Sequence, residues 1–484
     1  YFCFPQKIIS QEEKRNAVNF VNQKLKIPKD DFLKKLKKYK KFFWLIRLFC
    51  DGKIDKIDLP KGIERIKEEK RFYPNGKLAS HVLGYTGFDG IGLSGIEYSM
   101  EYVLRGSAIK FYNEKDAKGR QLNSEEFFKV ENLEPQNLYL TIDKNIQFIA
   151  EEYLEELYKN TKAEAATIII QNIKTGEIIA LANFPNFDGN ELQKNIKLLK
   201  NDGINKVYEP GSTIKVLIAG AALEDNLYKI DDKIYCEKGR FKVYNHIIRD
   251  HDKKFKELTL EEILIYSSNI GMAKIGEKMG KNRLYYYLQK FGFGNNTGID
   301  LPGEEKGLLK HPKNWDKLSE YILPFGQGFG VTAIQTIAAI SAIGNKGIFM
   351  EPKIIKSIQK DGIIYEQKPR EIRQIFSEKV CKELLNAMEN VVMIGTAKVL
   401  QIEGYRIGAK TGTAQKIDRS TGKYSKESYI SSLIGIFPLN EPQFSILAVV
   451  DSPKGVYYGG EVCGETMRKI IKDMIYYYKI PKSL

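Results

Sequence analysis

The 484-residue chain has no run of about 18 uninterrupted apolar residues, so nothing in it reads as a membrane-spanning helix. It begins at Tyr1, and Tyr1-Phe2-Cys3-Phe4-Pro5 lacks the basic start and apolar core of a signal peptide. The first residues are therefore expected to be a processed or truncated end. Five cysteines (Cys3, Cys50, Cys236, Cys381, Cys463) are scattered with no C-x-x-C pair, which argues against a zinc site and a disulfide framework. Their odd number would leave at least one thiol unpaired in an oxidising compartment, unless chains cross-link. Four histidines, none in an H-E-x-x-H arrangement, point away from metal-dependent or His-based catalysis, and no cofactor is expected. Internal repeats and low-complexity segments are absent too.

What remains is ordinary globular material, 43% apolar and 28% charged, long enough for two or three domains. The 76 Lys and Arg against 61 Asp and Glu give a net charge of +15. That excess suits a nucleic acid, a membrane surface or a wall polymer. Lys is spread along the whole length rather than gathered on one reading surface, so nucleic acid is the weakest of the three.

Organisation follows from pattern. Phe32 to Phe49 reads as a basic amphipathic helix, with Leu33, Leu36 and Phe43 on one face and Lys40 interrupting it. A core-facing helix with a solvated Lys side is favoured there over a membrane-surface helix. From Arg71 to Gly106 the chain is Gly-dense, which implies tight turns and little regular structure. A boundary is expected near Glu131 to Gln136, dividing an N-terminal domain, 1–134, from a second, 135–484. In the latter, Ala166 to Asn183 reads as a hairpin turning at Lys174-Thr175-Gly176. Strands at Ser431–Phe437 and Phe444–Val450 precede a last helix at about Glu465–Tyr478. The expected class is α/β (α+β), an antiparallel sheet built from both ends of the domain and covered by a helical insertion.

Three short elements carry chemistry. In Glu209-Pro210-Gly211-Ser212-Thr213-Ile214-Lys215, a turn leads into a helix that is apolar on every side. Positions i and i+3 share a face, so the Lys215 amine can reach the Ser212 hydroxyl. A lysine in such a helix is costly unless paired or neutral, and a neutral lysine beside a serine is a general base. The S-x-x-K spacing alone proves little, because it recurs at Ser107/Lys110, Ser357/Lys360 and Ser420/Lys423 without that context. The second element is Tyr266-Ser267-Ser268-Asn269, after a capping box of Thr259 and Glu262. It interrupts an apolar helix with small polar groups, and alone it would pass for a satisfied kink. The third is Lys410-Thr411-Gly412-Thr413, a cation with two hydroxyls at an expected strand edge, followed by a loop and the strand SSLIGIF. Lys174-Thr175-Gly176 repeats three of its letters and is assigned to the hairpin turn only.

In that order, the three elements form the signature of the penicillin-recognising serine enzymes, which these residues resemble. The string RFYPNGKLASHVLGYTGFDGIGLSGIEYSMEYVLRG (Arg71 to Gly106) is similar to the pedestal of class B penicillin-binding proteins, the monofunctional peptidoglycan transpeptidases. IIRDHD, FGFGNNTGIDLPGE, FGQGFGVTAIQ and YYGG extend the likeness over nearly the whole chain from about Phe42. FFWLIR and FGQG look most like the division-specific type.

The resemblance implies a penicillin-binding transpeptidase domain on an N-terminal pedestal, and acyl transfer on stem peptides ending in D-Ala-D-Ala. Ser212 would attack, Lys215 would take its proton, and Ser267 would relay a proton to the departing D-Ala. Asn269 would hold the substrate backbone. Lys410, Thr411, Gly412 and Thr413 would serve the terminal carboxylate and the proton network. The N–H groups of Ser212 and Thr413 would form the oxyanion hole. Stem peptides, β-lactams as covalent inhibitors, a polytopic membrane glycosyltransferase and other division proteins are the implied partners, with no nucleic acid. The implied place is the extracytoplasmic, periplasmic face of the inner membrane, with an N-terminal anchor and part of the pedestal missing before Tyr1.

The alternatives are a serine β-lactamase, a non-catalytic β-lactam sensor and a basic scaffold protein. The first would need a water-activating Glu motif, which is not evident. The second would lack the pedestal, and the third leaves the ordered trio unexplained. Ser268 stands where class A β-lactamases have Asp, a further departure from that rival.

Overall fold

The computed structural model describes residues 1–46, 58–65, 70–87, 89–106, 134–191, 196–250, 254–417, 421 and 423–483. They form two compact units, Tyr1–Lys70 and Arg71–Leu484.

In the smaller unit, the strand Phe2–Cys3 runs between Phe43–Trp44 and Ile63–Glu64. The helices Gln11–Lys24 and Lys29–Lys38 add Ala17, Val21 and Phe32 to a core completed by Cys3, Phe43 and Ile63. The amphipathic helix expected from Phe32 to Phe49 therefore stops at Lys38. Tyr39 is extended, and Phe43 lies in a strand. Four lysines between positions 34 and 38 and two more at 40 and 41 leave one short apolar face, enough for under three turns. Residues 47–49 lie outside the described segments.

In the larger unit, the Gly-dense tract forms helices of four or five residues: Ser80–Leu83, Gly95–Ser99 and Glu101–Leu104. Its glycines mark close backbone crossings. A Cβ on Gly84 would lie 1.8 Å from Ser94 O, and one on Gly92 1.9 Å from Glu97 O. Arg71 holds the buried Glu97 in a forked pair, at 2.8 and 3.3 Å, and Tyr73 OH donates to the same carboxylate.

The larger unit is organised by α1 (Lys144–Thr161), β1 (Ala165–Asn172) and β2 (Ile178–Phe184), with helices α2 (Lys215–Glu224), α3 (Leu260–Ile265), α4 (Asn269–Lys290), α5 (Ala333–Gly344) and α6 (Glu378–Met393) before β3 (Gly408–Ile417), β4 (Tyr424–Phe437), β5 (Phe444–Asp451) and α7 (Gly459–Tyr477). The five strands make one antiparallel sheet in the order β3-β4-β5-β1-β2. Both faces are covered, so the strands read as unbroken apolar runs and alternate residues serve different cores. Ile168 and Ile170 join Leu154, Ile470 and Met474 of α1 and α7. Ile169 joins Ile334 and Ile337 of α5 and the helical region around α2 and α4. The hairpin turning at Lys174-Thr175-Gly176 and the strand Phe444–Asp451 stand where their patterns placed them, while the last helix begins at Gly459, six residues before the expected Glu465.

One expectation changes at the sheet margin. Lys410-Thr411-Gly412 is not followed by a loop, because β3 runs on to Ile417 and β4 begins at Tyr424 rather than Ser431. The polar stretch Gln415 to Ser428 hides a long two-stranded ribbon.

Candidate active site

The Pro210-Gly211 turn opens into a short 3-10 segment, Gly211–Ile214, which passes directly into α2. Every residue from Thr213 to Leu223 is buried, whereas Ser212 is only half-buried. The fold thus exposes one hydroxyl on an otherwise enclosed segment. Lys215 is fully buried, as the all-apolar helix implied.

Ser267 and Ser268 do not interrupt a single helix. They separate α3 from α4, with Ser267 in the left-handed region at φ +58°. The capping box of Thr259 and Glu262 starts α3. Ser268 caps α4: its Oγ accepts from Gly271 N at 3.0 Å and donates to Asp250 Oδ2 at 2.8 Å.

The three motifs meet at the lysines. Lys215 Nζ donates to Ser267 O at 2.6 Å and Asn269 Oδ1 at 2.7 Å, and lies 3.3 Å from Ser267 Oγ. Lys410 is also fully buried, and its Nζ donates to the same Ser267 Oγ at 2.9 Å and to Thr411 O at 3.1 Å. One hydroxyl therefore sits between two amines. Burial pushes Lys215 well below the usual lysine range, and the neighbouring Lys410 charge adds to that effect, against a smaller opposing pull from Asp250. Burial alone brings Lys410 down to about 7.

A neutral Lys215 has two N–H groups and one lone pair. Both N–H groups are taken by Ser267 O and Asn269 Oδ1, so the 3.3 Å contact with Ser267 Oγ falls to the lone pair. Among the described residues, Ser212 Oγ makes no hydrogen bond. The i+3 spacing puts Lys215 on the right face, yet its amine is tied to the second motif rather than to the serine hydroxyl.

Gly412 lets β3 approach the nucleophile turn. A Cβ there would fall 2.4 Å from Ser432 Oγ and 2.8 Å from Thr213 Cγ2. Thr411 Oγ1 shares a hydrogen bond with Thr396 Oγ1 at 2.8 Å, and Thr413 Oγ1 accepts from Gly459 N at 3.1 Å in the YYGG stretch. The segments carrying all eight singled-out residues thus pack together: Ser212, Lys215, Ser267, Asn269, Lys410, Thr411, Gly412 and Thr413.

Two supports of the site carry no local signal in the sequence. Asp250 Oδ1 accepts from Asn269 N at 2.6 Å and Ile270 N at 3.1 Å, so one carboxylate holds the start of α4 together with Ser268. It stood in IIRDHD with no spacing to tie it to a helix 19 residues on. The turn Phe325–Gly328 backs Ser212, with Gly211 N donating to Gly326 O at 3.0 Å. Gly326 has φ +86°, and a Cβ on it would lie 2.1 Å from Gly211 O. Gly326→Ala should lower the thermal unfolding midpoint well beyond Gly455→Ala. That control shares the positive φ, at +84°, but has nothing within 4 Å of its Cβ position. Differential scanning fluorimetry checks the difference, and equal midpoints would contradict the collision.

Of the remaining S-x-x-K copies, one lies wholly within the described residues, and it lacks this environment. Ser357 and Lys360 lie on the strand Ile355–Lys360, where a spacing of three sends side chains to opposite faces. Ser107, Lys110 and Ser420 lie outside the described residues. The described cysteines Cys3, Cys236, Cys381 and Cys463 are free and buried, and burial pushes their thiols up. Among the described residues, no cluster of His, Cys, Asp and Glu could hold a metal ion, and no helix is long and apolar enough to cross a membrane.

Comparison with known proteins agrees with this geometry. Residues 166–472 match the penicillin-binding protein transpeptidase domain, and residues 5–140 the penicillin-binding protein dimerisation domain. Stage V sporulation protein D of Bacillus subtilis is 34% identical over 87% of this chain and 66% of its own length, just under two thirds. The peptidoglycan D,D-transpeptidase FtsI of Buchnera aphidicola is 34% identical over 99% of this chain and 83% of its own length. The crystal structure of penicillin-binding protein 3 from Mycobacterium tuberculosis, complexed with ampicillin, aligns with a TM-score of 0.74 at 27% identity, over 85% of this chain and 90% of that one. With one model covering well over half the chain and the serine, lysines and asparagine gathered as described, the chain belongs to the penicillin-binding protein transpeptidase family.

Proposed function

We propose that the chain is a serine-type peptidoglycan D,D-transpeptidase. The observation that carries this reading is the pair of buried lysines converging on Ser267 Oγ beside Ser212. Lys215 accepts the Ser212 proton as Oγ attacks the carbonyl between the two D-alanines. The N–H groups of Ser212 and Thr413 stabilise the oxyanion. Ser267 passes a proton to the departing D-Ala, and an amine of a second stem peptide then takes the acyl group. Asn269 holds the donor backbone, while Lys410, Thr411 and Thr413 meet its terminal carboxylate across the tight approach that Gly412 allows. β-Lactams acylate Ser212 as mimics of the donor.

Residues 1–134 serve as the pedestal and 135–484 as the catalytic domain. The likeness of FGQG and the FFWLIR segment to the division-specific type supports a septal role. With it come the extracytoplasmic face of the inner membrane and partnership with a polytopic glycosyltransferase.

Incubation with a fluorescent penicillin, digestion and mass spectrometry should place the adduct on the peptide containing Ser212. Release should take many minutes or longer. An adduct elsewhere, or none, refutes the reading, and release within seconds favours a β-lactamase.

The pH dependence has a defined shape. Attack needs Lys215 neutral, so the second-order acylation rate rises as that amine loses its proton. Binding of the carboxylate needs Lys410 charged, which holds below its value of about 7, so the rate falls above it. Lys410→Arg keeps its charge and should remove the alkaline limb while lowering the maximum. A profile whose alkaline limb survives in Lys410→Arg would assign that limb to another group.

A further inference from the structure

Glu209 lies three residues before Ser212, on the entry side of the nucleophile turn. Its Oε1 accepts from Gly328 N at 2.9 Å and from the Tyr424 hydroxyl at 3.1 Å. Three segments far apart in sequence are thus held by one oxygen: the nucleophile turn, the Phe325–Gly328 turn and the first residue of β4. The other oxygen, Oε2, is buried, and among the described residues it has no hydrogen-bond partner. Leaving a carboxyl oxygen unsatisfied away from water is costly, and burial correspondingly raises the pKa of this group. No part of the reaction described above uses Glu209, so its retention at this cost needs another account.

The geometry supplies one. β3 and β4 form a ribbon whose inner part carries Lys410, Thr411 and Thr413 and whose outer part begins at Tyr424, paired with Ile417. The inner part is kept against the nucleophile turn by the missing side chain of Gly412. Farther out, the described link between ribbon and turn is the Tyr424–Glu209 hydrogen bond. The Phe325–Gly328 turn is tied on both sides of Pro210, through Gly326 O to Gly211 N and through Gly328 N to Glu209. Without Glu209, the ribbon would lose this outer link to the nucleophile turn. The Phe325–Gly328 turn would keep the Gly326–Gly211 bond and the Tyr208–Val331 pairing but lose its tie at Gly328, so ribbon and turn could each shift relative to Ser212. Displacements of about 1 Å between a nucleophile and its oxyanion donors cost on the order of a hundredfold in rate.

Resting on the transpeptidase reading, we propose that Glu209 is a positioning residue that straps the β3–β4 ribbon and the Phe325–Gly328 turn to the nucleophile turn and thereby sets the acylation rate. It touches no reacting atom. Its effect falls on the limiting acylation rate rather than on pre-covalent binding, because the groups that bind the carboxylate remain present.

Stopped-flow acylation by a chromogenic β-lactam, normalised to the labelled fraction, tests this. Glu209→Ala should lower the limiting rate about tenfold or more, with the pre-covalent dissociation constant changed less than threefold. Glu209→Gln keeps an acceptor oxygen and should recover most of the rate. Tyr424→Phe removes one strap from a side chain at the protein surface, and a several-fold slowing is expected. Glu209→Ala/Tyr424→Phe should be no slower than Glu209→Ala. A purely structural role would lower the unfolding temperature and the active fraction while leaving the rate per active site unchanged. That outcome overturns the proposal, as do additive effects in the double variant. Labelling that survives in Ser212→Ala would instead overturn the transpeptidase reading on which the proposal rests.

Discussion

Ser212→Ala is expected to abolish covalent labelling by fluorescent penicillin, with no residual band at any exposure. The acyl bond needs a nucleophilic oxygen at the head of α2, and alanine supplies none. The fold should survive, since Ser212 is half-buried and, among the described residues, its Oγ holds no structural hydrogen bond. An unchanged circular dichroism spectrum and melting temperature would separate lost chemistry from lost structure. Ser107→Ala, Ser357→Ala and Ser420→Ala should label as the parent does, because spacing is all those serines share with Ser212. Ser267→Ala should still label, but slowly, since it removes the relay and leaves the nucleophile. Labelling of Ser212→Ala at the parental rate would place the nucleophile elsewhere.

Lys215→Met should lower the acylation rate by about a thousandfold or more, within the range that a positioned general base contributes. Met fills similar volume in the fully buried site, and its thioether carries no charge to desolvate. The sign of the stability change follows from the depressed pKa of Lys215. In the unfolded chain the amine keeps its usual, higher pKa, so protonating it in the fold carries a penalty. That penalty is complete below the folded pKa and fades as pH rises toward the unfolded value near 10.5. Lys215→Met removes it, offset by the unpaired Ser267 O and Asn269 Oδ1. The unfolding midpoint at neutral pH should therefore hold or rise while the chemistry collapses. Lys215→Arg should be equally inactive, because a guanidinium does not give up its proton to become a base. A Lys215→Met protein acylated within tenfold of the parent would mean that another group takes the Ser212 proton.

Much of this is legible in the sequence. Ser212 and Lys215 could be read because i+3 on a helix is a local relation, and α2 announced its burial by lacking a polar face. The hairpin at Lys174-Thr175-Gly176 and the capping box at Thr259 and Glu262 were local in the same sense. Asp250, Thr396 and Glu209 were not legible, because each acts on partners brought close only by the tertiary fold. Asp250 reaches 19 residues forward, Thr396 meets Thr411, and Glu209 meets Tyr424, 215 positions away. The Phe32–Phe49 helix misled for another reason. Leu33, Leu36 and Phe43 fit one face on a wheel, but sheet pairing of Phe43 with Cys3, 40 positions away, competes with that helix and wins. The run of β3 through Gly412 was hidden because glycine is a poor strand former judged locally. Here it is required by the turn it packs against.

The two amines around Ser267 Oγ have a consequence for selectivity. A proton on Lys410 raises the cost of one on Lys215, so the two buried amines disfavour being charged together. On the transpeptidase reading, a peptide that enters with a free C-terminal carboxylate balances a proton held on buried Lys410. A peptide bond in the middle of a folded or extended protein brings no such charge and leaves the buried cation uncompensated. On that reading, a site built this way would discriminate chain ends from chain interiors by charge, and a nucleophilic serine could sit among other proteins and leave their backbones uncut.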